Sequence, residues 1–192
     1  MNSFETSEGR RLHKMKSIGA LKWRSLSWMQ PKAIQRYFEL RHDKEVYATL
    51  TWQKTFGSLA VGTYAGESIS LKRAGFLSPY ISVRVVPTGQ EIALLRMRFG
   101  GYGEFEFADG RKYTLQKLGF WKREWGLADW NNVLMLKIIE WGGLLKNHGD
   151  IRLQPHVNGS TANLARLLVI AWYAITLIRE EQAAAASSAA IH

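Results

Sequence analysis

From about residue 21 to residue 157 the chain alternates apolar and polar positions, the period of β-strands with one face packed and one face wet. Residues 21–28 alternate loosely and stop at Pro31, which cannot donate to a ladder. QRYFELR (35–41) and EVYATLTWQ (45–53) flank the short turn His42-Asp43-Lys44. In the second of these strands Val46, Ala48, Leu50 and Trp52 share a face. Residues 58–64 follow, with Leu59 and Val61 on one face. Ala65-Gly66-Glu67 then turns the chain into 68–73, where Ile69 and Leu71 share a face. YISVRVV (80–86) is fenced by Pro79 and Pro87, and 91–98 follows a Thr88-Gly89-Gln90 turn. The strongest hairpin signal is Asp109-Gly110 between EFEF (104–107) and RKYTL (111–115), which predicts a primed turn. Further strands are predicted at 121–127, 133–141 and 151–157, with a turn at 129–132. Ten to twelve short strands at regular spacing indicate a sandwich or a closed barrel.

The pattern then changes. From Leu164 to Ile178 every side of the predicted helix 161–181 is apolar except at Arg166 and Thr176. A helix apolar all round lies in a core or in lipid. A barrel of about eight strands can be filled by its own side chains, whereas one of about twelve encloses an apolar channel. Interiors are close-packed, so something apolar must fill that channel, and this helix suits the space. The predicted fold is therefore all-β with one C-terminal helix: a closed barrel of about twelve strands around a central hydrophobic helix. The competing reading is a membrane protein anchored by residues 164–178. A span takes about 20 apolar residues, more than this run provides, and Arg166 sits within it.

Composition narrows the picture further. The chain has 192 residues, 46% hydrophobic and 22% charged, which suits one globular domain. That domain is expected over 21–181, between a disordered polar, basic tail (1–20) and a low-complexity tail (182–192) whose Ala-rich start can prolong the helix. The absence of cysteine excludes a disulfide framework, thiolate zinc sites and thiol nucleophiles. The N-terminal charges are not followed by the apolar stretch of a signal peptide, so a cytoplasmic protein, peripheral at the membrane, is expected.

The net charge is +10, and residues 1–44 hold ten Lys or Arg against four Asp or Glu. Such an excess suits an anionic partner or a solubilising surface. The candidate contacts for an anionic ligand or lipid are Arg10, Arg11, Lys14, Lys16, Lys22 and Arg24, with Lys122 and Arg123 beside Trp121 and Trp125 as an aromatic–basic cluster. Nucleic acid is not the expected partner. Catalytic signals are thin. None of His13, His42, His148, His156 and His192 has metal-ligand spacing with another. His148 with Asp150 is the closest His–carboxylate pair, and is read as part of a loop. Gly100-Gly101-Tyr102-Gly103 has no helix after it to receive a phosphate and reads as a turn. Glu104 and Glu106 share a strand face opposite Phe105 and Phe107, and read as solvated. Neither a catalytic residue, a metal nor a cofactor is expected.

Strands followed by a C-terminal hydrophobic helix resemble the tubby C-terminal-like superfamily, which includes tubby proteins, phospholipid scramblases and LURP-one-related proteins. The stretches that carry the likeness are YFELRHDKEVYATLTWQ (37–53), GSLAVGTY (57–64), ISLKRAGF (69–76), FADGRKYTL (107–115) and LLVIAWYAITLI (167–178). The resemblance implies a twelve-stranded barrel around its last helix. In tubby proteins a basic site binds phosphoinositide head groups, and the resemblance does not place that site on particular residues here. The acidic calcium segment of scramblases has no counterpart. The expected function is a non-enzymatic β-barrel module that binds anionic lipid head groups or a protein partner through a basic surface.

Overall fold

The computed structural model describes residues 26–33, 35–75, 77–98, 101–119, 122–142, 147–157 and 161–189. Twelve strands precede one helix: β1 (Leu26–Met29), β2 (Tyr37–His42), β3 (Glu45–Trp52), β4 (Ala60–Tyr64), β5 (Glu67–Ala74), β6 (Tyr80–Val86), β7 (Glu91–Arg98), β8 (Tyr102–Phe107), β9 (Lys112–Lys117), β10 (Glu124–Asp129), β11 (Leu134–Gly142), β12 (Asn147–Leu153) and α1 (Thr161–Ala189). Each strand pairs antiparallel with its neighbours in sequence, and β1 pairs with β12 to close the barrel. Closure removes the sheet edges that would otherwise invite aggregation.

Because every strand reverses direction, the connections fall into two sets. At one end, the lower, lie the short turns 43–44, 65–66, 87–90, 108–111 and 130–133, and the lead into α1. At the other, the upper, lie residues 30–33, 53–59, 77–79 and 122–123 and the ends of β7, β9 and β11. Helix α1 enters at the lower end, where Arg166 donates to Tyr64 Oη at 2.7 Å and to Glu67 at 3.0 Å. It leaves at the upper end, where Arg179 donates to Asn147 and Glu180 pairs with Arg36. The charge that interrupts the apolar run thus reaches the rim while its stem stays with the core.

From Leu164 to Ile178 the helix is buried, apart from Arg166. Trp172 stacks on Trp28 at 5.9 Å and meets Phe38 edge-on at 5.8 Å, and Tyr173 stacks on Trp52 at 5.3 Å. The Tyr173 hydroxyl donates to the Ser58 carbonyl. Two wall glycines let helix side chains nest. A Cβ on Gly62 would stand 2.3 Å from Val169 Cγ1, and one on Gly149 would stand 2.4 Å from the Trp172 ring. The apolar surface that a membrane anchor would present to lipid is covered by the barrel wall. Among the described residues no helix is long and apolar enough to cross a membrane.

Several predicted details differ. In β4 the inward face is Ala60, Gly62 and Tyr64, while Leu59 is exposed and Val61 half-buried. The close approach of α1 requires small groups there, and that requirement overrides the hydrophobicity of Leu59 and Val61. The Asp109-Gly110 turn is not primed. Only Gly110 has positive φ (84°), and its amide donates to the Phe107 carbonyl, as in a type I turn followed by a glycine bulge. The primed turn is Ala65-Gly66, with φ of 47° and 82° between the paired Tyr64 and Glu67. Strand β12 begins at Asn147, before the predicted 151, because His148, Gly149 and Asp150 pair with both β11 and β1. Helix α1 continues to Ala189, eight residues past the predicted end, as an exposed segment.

Candidate functional site

The upper mouth, where α1 leaves the barrel, gathers the groups best placed to hold a ligand. Strand β11 ends there with alternating faces: Leu136, Ile138 and Glu140 turn inward and Lys137 outward. Glu140 therefore carries a carboxylate into the barrel just below its rim, at 8% exposure. The Trp125 indole donates to its Oε2 at 3.0 Å. Its Oε1 accepts no hydrogen bond, and Arg179 Nη1 stands 3.4 Å away. Burial raises the Glu140 carboxyl above the usual carboxylate range, against the pull of the Trp125 hydrogen bond and the charges of Arg179, Arg123 and Lys117.

Lys117, Arg123, Glu140 and Arg179 line an open cleft of about 410 Å³, together with Asn147, Thr176 and Glu180. Lys117 comes from the end of β9, Arg123 from the connection before β10, and Arg179 from the helix exit. The rim is tied together by backbone and amide bonds. The Glu140 amide donates to the Arg123 carbonyl at 2.7 Å, and the Asn147 amide donates to Gln30 Oε1 at 3.0 Å. Gln30 Nε2 donates in turn to the carbonyls of Ala33 and Gln35, which fixes the first rim loop. Glu180 is also raised by burial, with Arg36 opposing. The cleft thus presents three cations around one deep acceptor. The three cations stand beside the carboxylates of Glu140 and Glu180.

Of the sequence candidates, Lys122 and Arg123 lie exposed on this rim. Arg10, Arg11, Lys14, Lys16, Lys22 and Arg24 lie outside the described residues, as does Trp121. Trp125 does not accompany the cations at the surface. It is buried at 1% exposure, facing inward, so the expected surface cluster is basic without that aromatic. Sequence reasoning missed Lys117, Glu140 and Arg179. The parity of Leu136, Ile138 and Glu140 was a usable signal for the second, but nothing in the sequence brings the other two beside it.

The other polar clusters among the described residues are tied into local pairs. His148 and Asp150 sit in β12, not in a loop, on the outer wall. Asp150 accepts from Ser27 and Trp141, and shares a 2.8 Å hydrogen bond with His148 Nε2. Burial would raise the Asp150 carboxyl, yet the His148 and Ser27 hydrogen bonds hold it below the usual range. Ser27 donates its hydroxyl to the Asp150 carboxylate and not to the imidazole. Glu104 and Glu106 face outward, paired with Arg98 at 3.3 Å and Arg96 at 2.6 Å, while Phe105 and Phe107 are buried. In the Gly100–Gly103 run, Gly101 makes the turn and β8 opens at Tyr102, with Gly100 outside the described residues. Among the described residues no group of three or more His, Asp or Glu is placed to hold a metal ion.

Neither a protein-family model, a curated protein nor a solved structure matches this chain.

Proposed function

We propose that the protein is a non-enzymatic binding module of the tubby C-terminal-like type, whose upper mouth takes phosphate-bearing head groups of anionic lipids. The reading places it in the cytoplasm, peripheral at the membrane. Convergence of Lys117, Arg123 and Arg179 on one cleft is the observation that carries it. Two further features support it. A closed barrel threaded by its C-terminal helix is the architecture the sequence resemblance implies. Glu140 stands among the three cations, and its raised carboxyl weakens the one opposing charge deepest in the cleft. Lys122 extends the cationic rim, and Arg10, Arg11, Lys14, Lys16, Lys22 and Arg24 belong to the proposal as a second basic segment.

The test is calorimetric titration with inositol trisphosphate and co-sedimentation with vesicles of phosphatidylcholine and phosphatidylserine. Lys117→Ala and Arg123→Ala should each weaken binding about fivefold, near 1 kcal/mol per basic side chain, and added salt should weaken it further. Glu140→Gln removes the most buried negative charge of the cleft and should tighten binding at neutral pH. Because the Glu140 carboxyl is raised, the natural chain takes up that proton at a higher pH than an ordinary carboxylate would. Its affinity and that of Glu140→Gln should therefore converge as pH falls. Binding indifferent to Lys117, Arg123 and salt would refute the cleft as the site.

A further inference from the structure

The cleft reading concerns a head group. The loops around the cleft carry a second feature that a soluble ligand would not require. Phe56 and Leu77 are exposed by 89% and 93%, on the connections β3–β4 and β5–β6 of the same end. These connections flank β4 and β5, so the two tips stand near one another on the rim. Isolated exposed apolar residues need no explanation, but these two are held in place.

Arg36 braces the first loop from within. Its Nη1 donates to the carbonyls of Gly57 at 2.8 Å and Thr55 at 3.3 Å, on either side of Phe56. The same guanidinium lies 4.6 Å over the Trp52 ring and donates to Glu180 at the helix exit. The Tyr173 hydroxyl holds Ser58 from inside the barrel. The second loop is tight as well: a Cβ on Gly75 would stand 2.4 Å from the Ser78 carbonyl. Arg36 and Tyr173 thus hold the first loop, and Phe56 and Leu77 are exposed on the two loops.

The loops themselves carry charge of one sign, while Glu180 and Glu181 beside them are paired with Arg36 and Arg73. The connections 30–36, 53–59, 75–79 and 118–123 contain no Asp or Glu, and their Lys32, Lys54, Lys122 and Arg123 are exposed. The lower turns are mixed, with Asp43 beside Lys44 and Asp109 paired with Arg111. Apolar tips in loops whose own charges are all cationic match the layering of a bilayer whose acyl region lies beneath anionic head groups; the lower end, where Trp130 is exposed by 74%, carries charges of both signs.

We infer that the upper end docks on an anionic membrane, inserting Phe56 and Leu77 below the head groups while the basic rim lies among them. The inference rests on the head-group reading, and its test separates the two. The chain has no cysteine, so Phe56→Cys, Leu77→Cys and, at the opposite end, Lys44→Cys each give one labelling site for a polarity-sensitive dye. With vesicles of phosphatidylcholine and phosphatidylserine, dye at positions 56 and 77 should shift to the blue and dye at position 44 should not. The double variant Phe56→Ser/Leu77→Ser should lose vesicle affinity by about tenfold or more for each side chain withdrawn, and should bind inositol trisphosphate as the natural chain does. A blue shift at 44, or none at 56 and 77 on bound vesicles, overturns the inference. So does full vesicle affinity in the double variant, which leaves head-group binding standing. Binding of inositol trisphosphate without vesicle binding overturns membrane docking alone. Binding of neither overturns both readings.

Discussion

Replacing Gly62 by alanine tests directly whether α1 is locked against the wall. The glycine sits mid-strand in β4, opposite Leu50 of β3 and Ile69 of β5. Its φ is not positive, so the backbone accepts alanine and any penalty is steric. The added Cβ would stand 2.3 Å from Val169 Cγ1, whereas carbon atoms pack best at about 3.5–4.0 Å. Ladders on both sides hold β4, and stacked aromatics hold the helix, so neither moves away freely. Overpacking of this kind costs about 1–3 kcal/mol. Val169→Ala alone removes two buried carbons and leaves a space, a loss of about 1.5–3 kcal/mol. In the double variant the new methyl occupies the space that Val169 vacates. It should be about as stable as Val169→Ala alone, a coupling of about 1–3 kcal/mol. Urea unfolding followed by tryptophan fluorescence and far-ultraviolet circular dichroism measures each corner of the cycle, provided the two transitions coincide. Gly149→Ala meets Trp172 and not Val169, so Val169→Ala should not rescue it. Strict additivity at Gly62 would refute the nested packing of helix and wall.

Two further outcomes follow from the same structure. A chain ending at Asn158 lacks α1 and should be unfolded or insoluble without detergent, while the full chain is soluble; a well-dispersed amide spectrum from the shortened chain would sink the filled-barrel account. Ala65→Asn places the residue that primed turns prefer at a φ of 47°, relieves a left-handed alanine, and should add about 0.5–1 kcal/mol, a rise of about 1–4 °C in Tm by calorimetry.

Local pattern was enough to specify strand number, most strand limits and the place of the helix. Alternation marks one buried face per strand, and a helix apolar all round has to be enclosed. Leu164–Ile178 could be read as core because the barrel it must fill is legible as a count of strands. What the local pattern does not contain is distance between elements. The inward face of β4 follows from the approach of Val169, so the larger Leu59 and Val61 lose to Ala60 and Gly62. The Asp109-Gly110 turn carries a glycine bulge and the Ala65-Gly66 turn is primed because the register of each hairpin sets the turn, and register is a tertiary outcome. The cleft is the clearest case. Lys117, Arg123, Glu140 and Arg179 are scattered over sixty-odd positions of sequence and meet only because the barrel closes and the helix runs through it to the upper end.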